Sequence, residues 1–367
     1  MVADVSKKWC ILLSLMFVMQ VIFRCDDQIV QPMNTTDHKL YVYSNMGETL
    51  YLVDYTTVDL VKKITLDVPE TVSYLGGMRL SKERNFLVFG AIGQFPDPEF
   101  GFALYNIQKE SIQNVFMTDT HGYGSAYFIA ARKTDEPGLF YVHFRDLGTY
   151  AIDVFEQRIV GMISDEHDFD LGKRIYHSPD GQWTVVKKDR NDEAYTELEF
   201  YPLNSDLQDA SFVLNQGNRD SIAIYDFEFS DDQTLYITFQ LSGGRSRRVA
   251  SYFGRYNLKT QTLSRSSITF PWSLNPYYTA YSPTRDEVYT VGASDTLYVI
   301  DADAYKITEK IPLTGKITGP SRILLSPGEE IAFISCSNTD AIYVIDLNEK
   351  TVLKVIKVIH PYNMIIP

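Results

Sequence analysis

The chain has 367 residues, 45% hydrophobic and 22% charged, which is ordinary globular composition with room for one large or two medium domains. Its 47 acidic residues against 34 basic give a net charge of −13, and no long basic stripe breaks that balance. Such a surface repels phosphate backbones, so nucleic acid is excluded as a partner, while an aromatic content of 13%, rich in Tyr and Phe, favours β-structure.

The elements are taken in chain order. Lys7 and Lys8 precede an apolar run from Trp9 to Phe23, followed by Arg24 and Cys25. A basic region and an apolar run of this length read as an export signal over residues 1–25. The run is short for a membrane span, which needs about 20 apolar residues. Cleaved signal, lipoprotein and uncleaved anchor all remain open, and each places the rest of the chain outside the cytoplasm. Any membrane contact is expected through this segment alone. Residues 26–34 read as a short linker, and Asn34-Thr35-Thr36 is a glycosylation sequon. Of three cysteines, Cys10 lies in the apolar run, which leaves Cys25 and Cys336 and no disulfide framework.

From residue 35 onward the chain repeats itself. "TLYLVDYTTVDLVKKITL" (49–66) returns as "TLYVIDADAYKITEKIPL" (296–313) and as "AIYVIDLNEKTVLKVIKV" (341–358). Weaker copies occupy 102–117, 149–164, 198–215 and 253–270. Each is an apolar strand, a polar turn and a second strand. The turns open at Asp54, Asn106, Asp153, Pro202, Asn257, Asp301 and Asp346. Asp and Asn suit that position because their side chains bond backbone N–H groups just ahead; Pro202 is the exception. Before each later copy stands a strand, a tight turn and a strand, as in "RIYHSPDGQWTVVK" (174–187) and "DFEFSDDQTLYITF" (226–239).

Four antiparallel strands repeated seven times predict an all-β, seven-bladed β-propeller. The first copy, residues 35–66, lacks its opening strand, and the last stretch, "YNMIIP", is a strand without followers. The C-terminal strand is therefore expected to complete the first blade and close the ring, making 35–367 a single domain. The other blades fall at about 72–117, 125–164, 173–215, 222–270, 276–313 and 319–358.

"LYVIDADAYKITEKIPL" and "IYVIDLNEKTVLKVIKV", each preceded by a Ser-Pro turn or its equivalent, resemble the YVTN type of propeller repeat. That superfamily includes surface-layer-like proteins and the propeller chains of quinohaemoprotein amine dehydrogenase and methylamine dehydrogenase. The resemblance implies export and a scaffold role. It implies no catalytic residue, because the matching positions build strands and turns.

In a propeller the inner strands line a channel, and one set of loops surrounds its mouth. The polar residues expected there are Asp119, His121, Tyr123, His167, Arg219, Trp272, Tyr277, Arg322, His360 and Asn363. Asp165, His167, Asp168 and Asp170 form an acidic loop with oxygen ligands suited to a hard cation, although the spacing misses that of an EF-hand and such clusters are usually solvated loops. "GGRSRR" (243–248) is a basic loop able to dock an acidic partner. Hydrolase, zincin and nucleotide-binding motifs are all missing, and no cofactor is implied. The expectation is a binding scaffold for a protein or small ligand at the loop face. A propeller subunit of an amine dehydrogenase-like redox complex is the alternative, and a propeller hydrolase using Asp119, His121 and Arg322 is a weaker one.

Overall fold

The computed structural model describes residues 38–44, 46–81, 85–94, 99–121, 126–131, 139–144, 148–164, 174–177, 183–190, 195–202, 220–231, 233–243, 248–260, 262–270, 278–313 and 319–367. Residues 38–367 belong to one compact unit. Among the described residues there is no α-helix; a 3-10 turn at Ser337–Thr339 stands among antiparallel strands. No helix there is long and apolar enough to cross a membrane.

The strands run in chain order. The first group is β1 (Lys39–Ser44), β2 (Thr49–Asp54) and β3 (Asp59–Thr65). The second is β4 (Val72–Leu80), β5 (Phe86–Gly93), β6 (Glu99–Asn106) and β7 (Ser111–His121). The third is β8 (Ala126–Ala131), β9 (Leu139–Phe144), β10 (Gly148–Asp153) and β11 (Arg158–Ser164). The fourth is β12 (Arg174–His177), β13 (Trp183–Arg190) and β14 (Tyr195–Pro202). The fifth is β15 (Asp220–Asp231), β16 (Thr234–Gly243), β17 (Arg248–Asn257) and β18 (Thr262–Phe270). The sixth is β19 (Tyr278–Ser282), β20 (Glu287–Val291), β21 (Thr296–Asp301) and β22 (Lys306–Pro312). The last is β23 (Pro320–Leu325), β24 (Ile331–Cys336), β25 (Ala341–Asp346), β26 (Thr351–Lys357) and β27 (Pro361–Ile365).

Each group is a sheet in sequence order, with one exception: β27 leaves the seventh group and pairs with β1, giving the order β27-β1-β2-β3. The apolar tail therefore has its partner at the other end of the unit, where Met364 lies opposite Val42 and Asn363 opposite Tyr43. Met364 is fully buried among Leu40, Val42, Phe333 and Ile342. The fourth sheet has three strands among the described residues; the expected outer strand near 206–215 lies outside them.

The middle strands read as unbroken apolar runs because both faces of each sheet are covered. In β20, Val288 packs with Tyr236 and Phe253 of the fifth sheet, while Tyr289 and Val291 pack with Ile323 and Ile334 of the seventh. Similar seams join the seventh sheet to the first and the second to the third.

The outer hairpins repeat one design. Asp54 Oδ1 accepts the N–H groups of Thr56 and Thr57 at 2.8 and 3.1 Å. Asp346 Oδ1 does the same for Asn348 and Glu349 at 2.8 and 2.9 Å. Asn106, Asp153, Asn257 and Asp301 hold their turns likewise. Five of these turns close on a residue with positive φ: Val58, Glu110, Gln157, Tyr305 and Lys350. A bulge follows in each of those outer strands. Counting the register puts the extra residue at Val61, Gln113, Val160, Thr308 and Leu353, all exposed. Bulges twist an edge away from pairing with another chain.

Inner strands adjoin one another: β15 lies by β19, β19 by β23, β23 by β27, β27 by β4, β4 by β8, and β8 by β12. This arrangement positions the site.

Candidate functional site

The turn-opening residue gives a common origin for register. Four positions along the next strand from its partner, each sheet presents one inner-strand residue. These are Asn363 opposite Tyr43, Gly76 opposite Gly90, Tyr127 opposite His143 and Arg174 opposite Lys187. Asp226 opposite Thr238, Tyr278 opposite Val291 and Arg322 opposite Ser335 complete the level. The sequence separates these residues by up to 287 positions, and the fold sets them at one height.

This level links adjoining sheets. Asp226 Oδ2 accepts the backbone N–H of Thr279 at 2.7 Å, joining the fifth sheet to the sixth. Arg322 Nη1 donates to Asn363 Oδ1 at 2.8 Å, joining the seventh to the first. Asn363 Nδ2 donates to the carbonyl of Met78 at 3.1 Å, joining the first to the second. Tyr43, across from Asn363, donates to the carbonyl of Leu75 at 2.6 Å along that same seam. Asp226 and Asn363 are 5% and 6% exposed, so these bonds are made away from bulk water and are costly to break.

Two residues deeper, the inner strands present Ile365, Arg79, Ala130, Tyr176, Glu228, Ala280 and Leu324. Ala280 holds the register position of Glu228 on β19, where it packs into the core between the sixth and seventh sheets. Phe227 and Phe229 go into the core of the fifth sheet, so strand alternation turns Asp226 and Glu228 to the other face, toward the sixth. Glu228 is half-buried: it retains some surface but sits deep among protein atoms. Desolvation is the main reason its carboxyl is pushed up to about 8; the charge of Asp226 adds to the rise and that of Arg322 opposes it. Glu228 makes no hydrogen bond or ion pair with any described residue. Ser335 Oγ, directly across from Arg322, is likewise buried and unpartnered among the described residues.

Three of the residues singled out in the sequence fall on described side chains. Arg322 and Asn363 are brought together by their hydrogen bond. His360 stands just before β27 with φ 41, and its backbone N–H donates to Asp340 Oδ1 at 2.7 Å, a contact that fixes the turn rather than the imidazole. Asp119 and His121, expected in a loop, belong to β7, whose register carries His121 to a place opposite Glu99. The β-branched Thr118 and Thr120 suit that extension. Tyr123, Asp165, His167, Asp168, Asp170, Arg219, Trp272 and Tyr277 lie outside the described residues. Among the described residues no group of three His, Cys, Asp or Glu is placed to hold a metal ion.

Asp226 and Glu228 were not among the sequence candidates. Their signal is "DFEF" (226–229), where two carboxylates alternate with two phenylalanines on an inner strand.

Solved structures share this architecture. A hydrazine synthase of Kuenenia stuttgartiensis aligns over 84% of this chain and 92% of its own, with a TM-score of 0.62 at 15% identity. Dihydro-heme d1 dehydrogenase NirN aligns over 91% and 76%, with a TM-score of 0.54 at 11% identity. Apo AztD from Citrobacter koseri aligns over 89% and 96%, with a TM-score of 0.51 at 12% identity. The fold is a β-propeller. At these identities the likeness carries the fold and no activity. No protein-family model and no curated protein sequence matches the chain.

Proposed function

We propose that the chain is an exported, seven-bladed propeller scaffold that binds a small ligand in its channel, with its loop face available to a protein partner. In this reading β27 closes the ring by completing the first blade. The pairing of β27 with β1 and the run of adjoining inner strands support the closure. One observation carries the ligand site. Asp226, Arg322 and Asn363 are accounted for as links between blades, whereas Glu228, partly exposed on the same inner strand, makes no such link.

The reading requires Glu228 to be reachable by small solutes. A Glu228→Cys protein, with Cys10 and Cys25 replaced by Ser, is expected to react with a small methanethiosulfonate reagent. Cys336 is the internal control, being fully buried with its thiol pushed up to about 12. An unreactive Cys at 228 would mean a channel closed at that level and would sink the ligand site.

The structural likeness to hydrazine synthase and to a dihydro-heme d1 dehydrogenase keeps a second reading in place, a propeller subunit of a redox complex. It expects the protein isolated from its source to carry a partner with a visible-region spectrum, and a colourless single chain would remove it.

A further inference from the structure

One position recurs just ahead of the second strand in five sheets, counting β27 as the inner strand of the first. Its backbone carbonyl accepts the N–H that follows the third strand: His38 from Tyr55, Asn85 from Ile107, Gln233 from Leu258, Asp286 from Ala302 and Glu330 from Leu347. His38, Gln233 and Glu330 are exposed there, so water serves their side chains. Asp286 is half-buried, and its Oδ1 accepts the hydroxyl of Tyr281 at 2.9 Å. Asn85 is 5% exposed, and neither its Oδ1 nor its Nδ2 has a partner among the described residues. Register explains the difference. Tyr281 lies opposite Val288 in the sixth sheet, and the corresponding residue opposite Leu87 in the second is Leu80, which brings no hydroxyl. The second sheet carries its hydroxyl one strand over, where Tyr105 lies opposite Leu87 in the place that Ile300 holds opposite Val288. Tyr105 is fully buried, and its Oη is also without a partner among the described residues.

Both groups belong to one seam. Val88 packs with Phe140 and Val154 of the third sheet, and Phe89 sets its ring against Tyr43 of the first. Alternation therefore turns Leu87, and with it Asn85 and Tyr105, toward the first sheet. Asn85 pairs with Ile107 and Tyr105 stands two residues before it, so the two side chains are diagonal neighbours on that face. Glu110, whose charge reaches Tyr105, is already paired with Lys62 across the same seam, which leaves no net charge there to hold an ion. An amide and a phenol each donate and accept, and a neutral molecule that does both matches them. We infer that an internal water is built into this corner of the first–second seam, accepting from Asn85 Nδ2 and bonded to Tyr105 Oη. Buried waters typically make about three hydrogen bonds to groups left unsatisfied by the protein. Tyr43 and Asn363 hold the same seam at the inner strands, and the water completes it at the turn end. The site is independent of Glu228 and of the channel reading.

The test is a crystal structure of the purified protein at a resolution that shows ordered solvent. Density for a water within about 3.2 Å of the Asn85 amide and of Tyr105 Oη is expected. A dry site, or the amide bonded straight to the hydroxyl, overturns the inference. In solution, Tyr105→Phe and Asn85→Leu each take one partner from the water. Each is expected to raise the unfolding equilibrium constant, read by urea titration, by about fivefold. In the double variant the two effects are expected to fall short of multiplying by at least about twofold, since they share one water. Tyr105→Phe keeps the ring, so it and the density decide the matter if Asn85→Leu does not fold. A single variant more stable than the parent, or effects that multiply in full, means that no water is shared and also overturns the inference.

Discussion

The inner and outer edges of these sheets use their polar and charged residues in opposite ways. At the outer edge β3, β22 and β26 are exposed along most of their length, with at least two Lys and one bulge each. Their charges face water, and their work is to keep a free strand edge from pairing with another chain. At the inner edge Asp226 and Asn363 are covered by protein and Arg322 is half-buried, and their polar atoms bond the neighbouring sheet. Charge outside prevents association; charge inside joins one sheet to the next. The difference is quantitative, because a bond withdrawn from a buried site leaves its partner unsatisfied, whereas one withdrawn from the surface is replaced by water.

The largest break in this comparison is removal of the inner strand that bridges the chain ends. Deleting Tyr362 to Pro367 strips β1 of its partner, uncovers Leu40 and Val42, and removes Met364 and Asn363 together. The protein is expected to lose its cooperative thermal transition or to aggregate during purification. A truncated protein that melts at the same temperature would show that β27 contributes nothing to the unit.

A smaller effect follows from Glu228 by linkage. Its folded carboxyl sits at about 8 against 4.5 when unfolded, so between those values the folded state holds the extra proton. Stability from this group is therefore complete below about pH 4.5 and declines as pH rises toward about 8, then stays level. A shift of this size sets a ceiling of roughly 5 kcal/mol, and the solvent reaching a half-buried carboxyl reduces it to about 2–3 kcal/mol. Glu228→Gln has no such term. Urea unfolding at pH 5 and pH 8.5 is expected to show a drop for the parent protein and a flatter profile for the variant. Equal slopes in both would mean that Glu228 is not desolvated.

Asn363→Ala tests the inter-sheet bonds. It leaves one donor of Arg322 without its partner and takes away one of two donors to the Met78 carbonyl, which keeps that of Arg79, at a cost of about 2 kcal/mol. Asn363→Asp keeps an acceptor for Arg322 and is expected to recover part of that loss through a charged pair. A loss in Asp equal to that in Ala would place the value of Asn363 in its bond to Met78 alone.

The same two edges explain what could be read from the sequence. The outer hairpins were legible because their chemistry is local. Asp54, Asp301 and Asp346 bond residues two or three positions ahead, so the turn is written in consecutive letters. The pairing of the last strand with the first was legible too, because β27 is apolar and the first repeat visibly lacks a strand. Arg322 and Asn363 were found as polar residues at predicted strand starts, but nothing in the sequence joins them, since their bond crosses from one sheet to another. Glu228 was missed for a related reason. "DFEF" looks like any alternating strand until the bond from Thr279 to Asp226 shows which sheet its carboxylates face, and pairing between sheets is a property of the whole fold.

The smallest effect belongs to the outer edge, and it is the sharpest control. Lys354 on β26 reaches Asp59 on β3 across the seam between the seventh and first sheets, the seam that β27 also serves from within. The two side chains are 44% and 63% exposed. Water and salt screen such a pair, and holding two mobile side chains in one geometry offsets much of the attraction. Lys354→Ala is therefore expected to change stability by no more than about 0.5 kcal/mol, and less at high salt. A double-mutant cycle with Asp59→Ala isolates the coupling from any change in edge charge. If that coupling came close to the loss in Asn363→Ala, position along the radius of the sheet would not decide what a charge is worth here. The contrast between the two edges would then have to be drawn from the geometry of each pair.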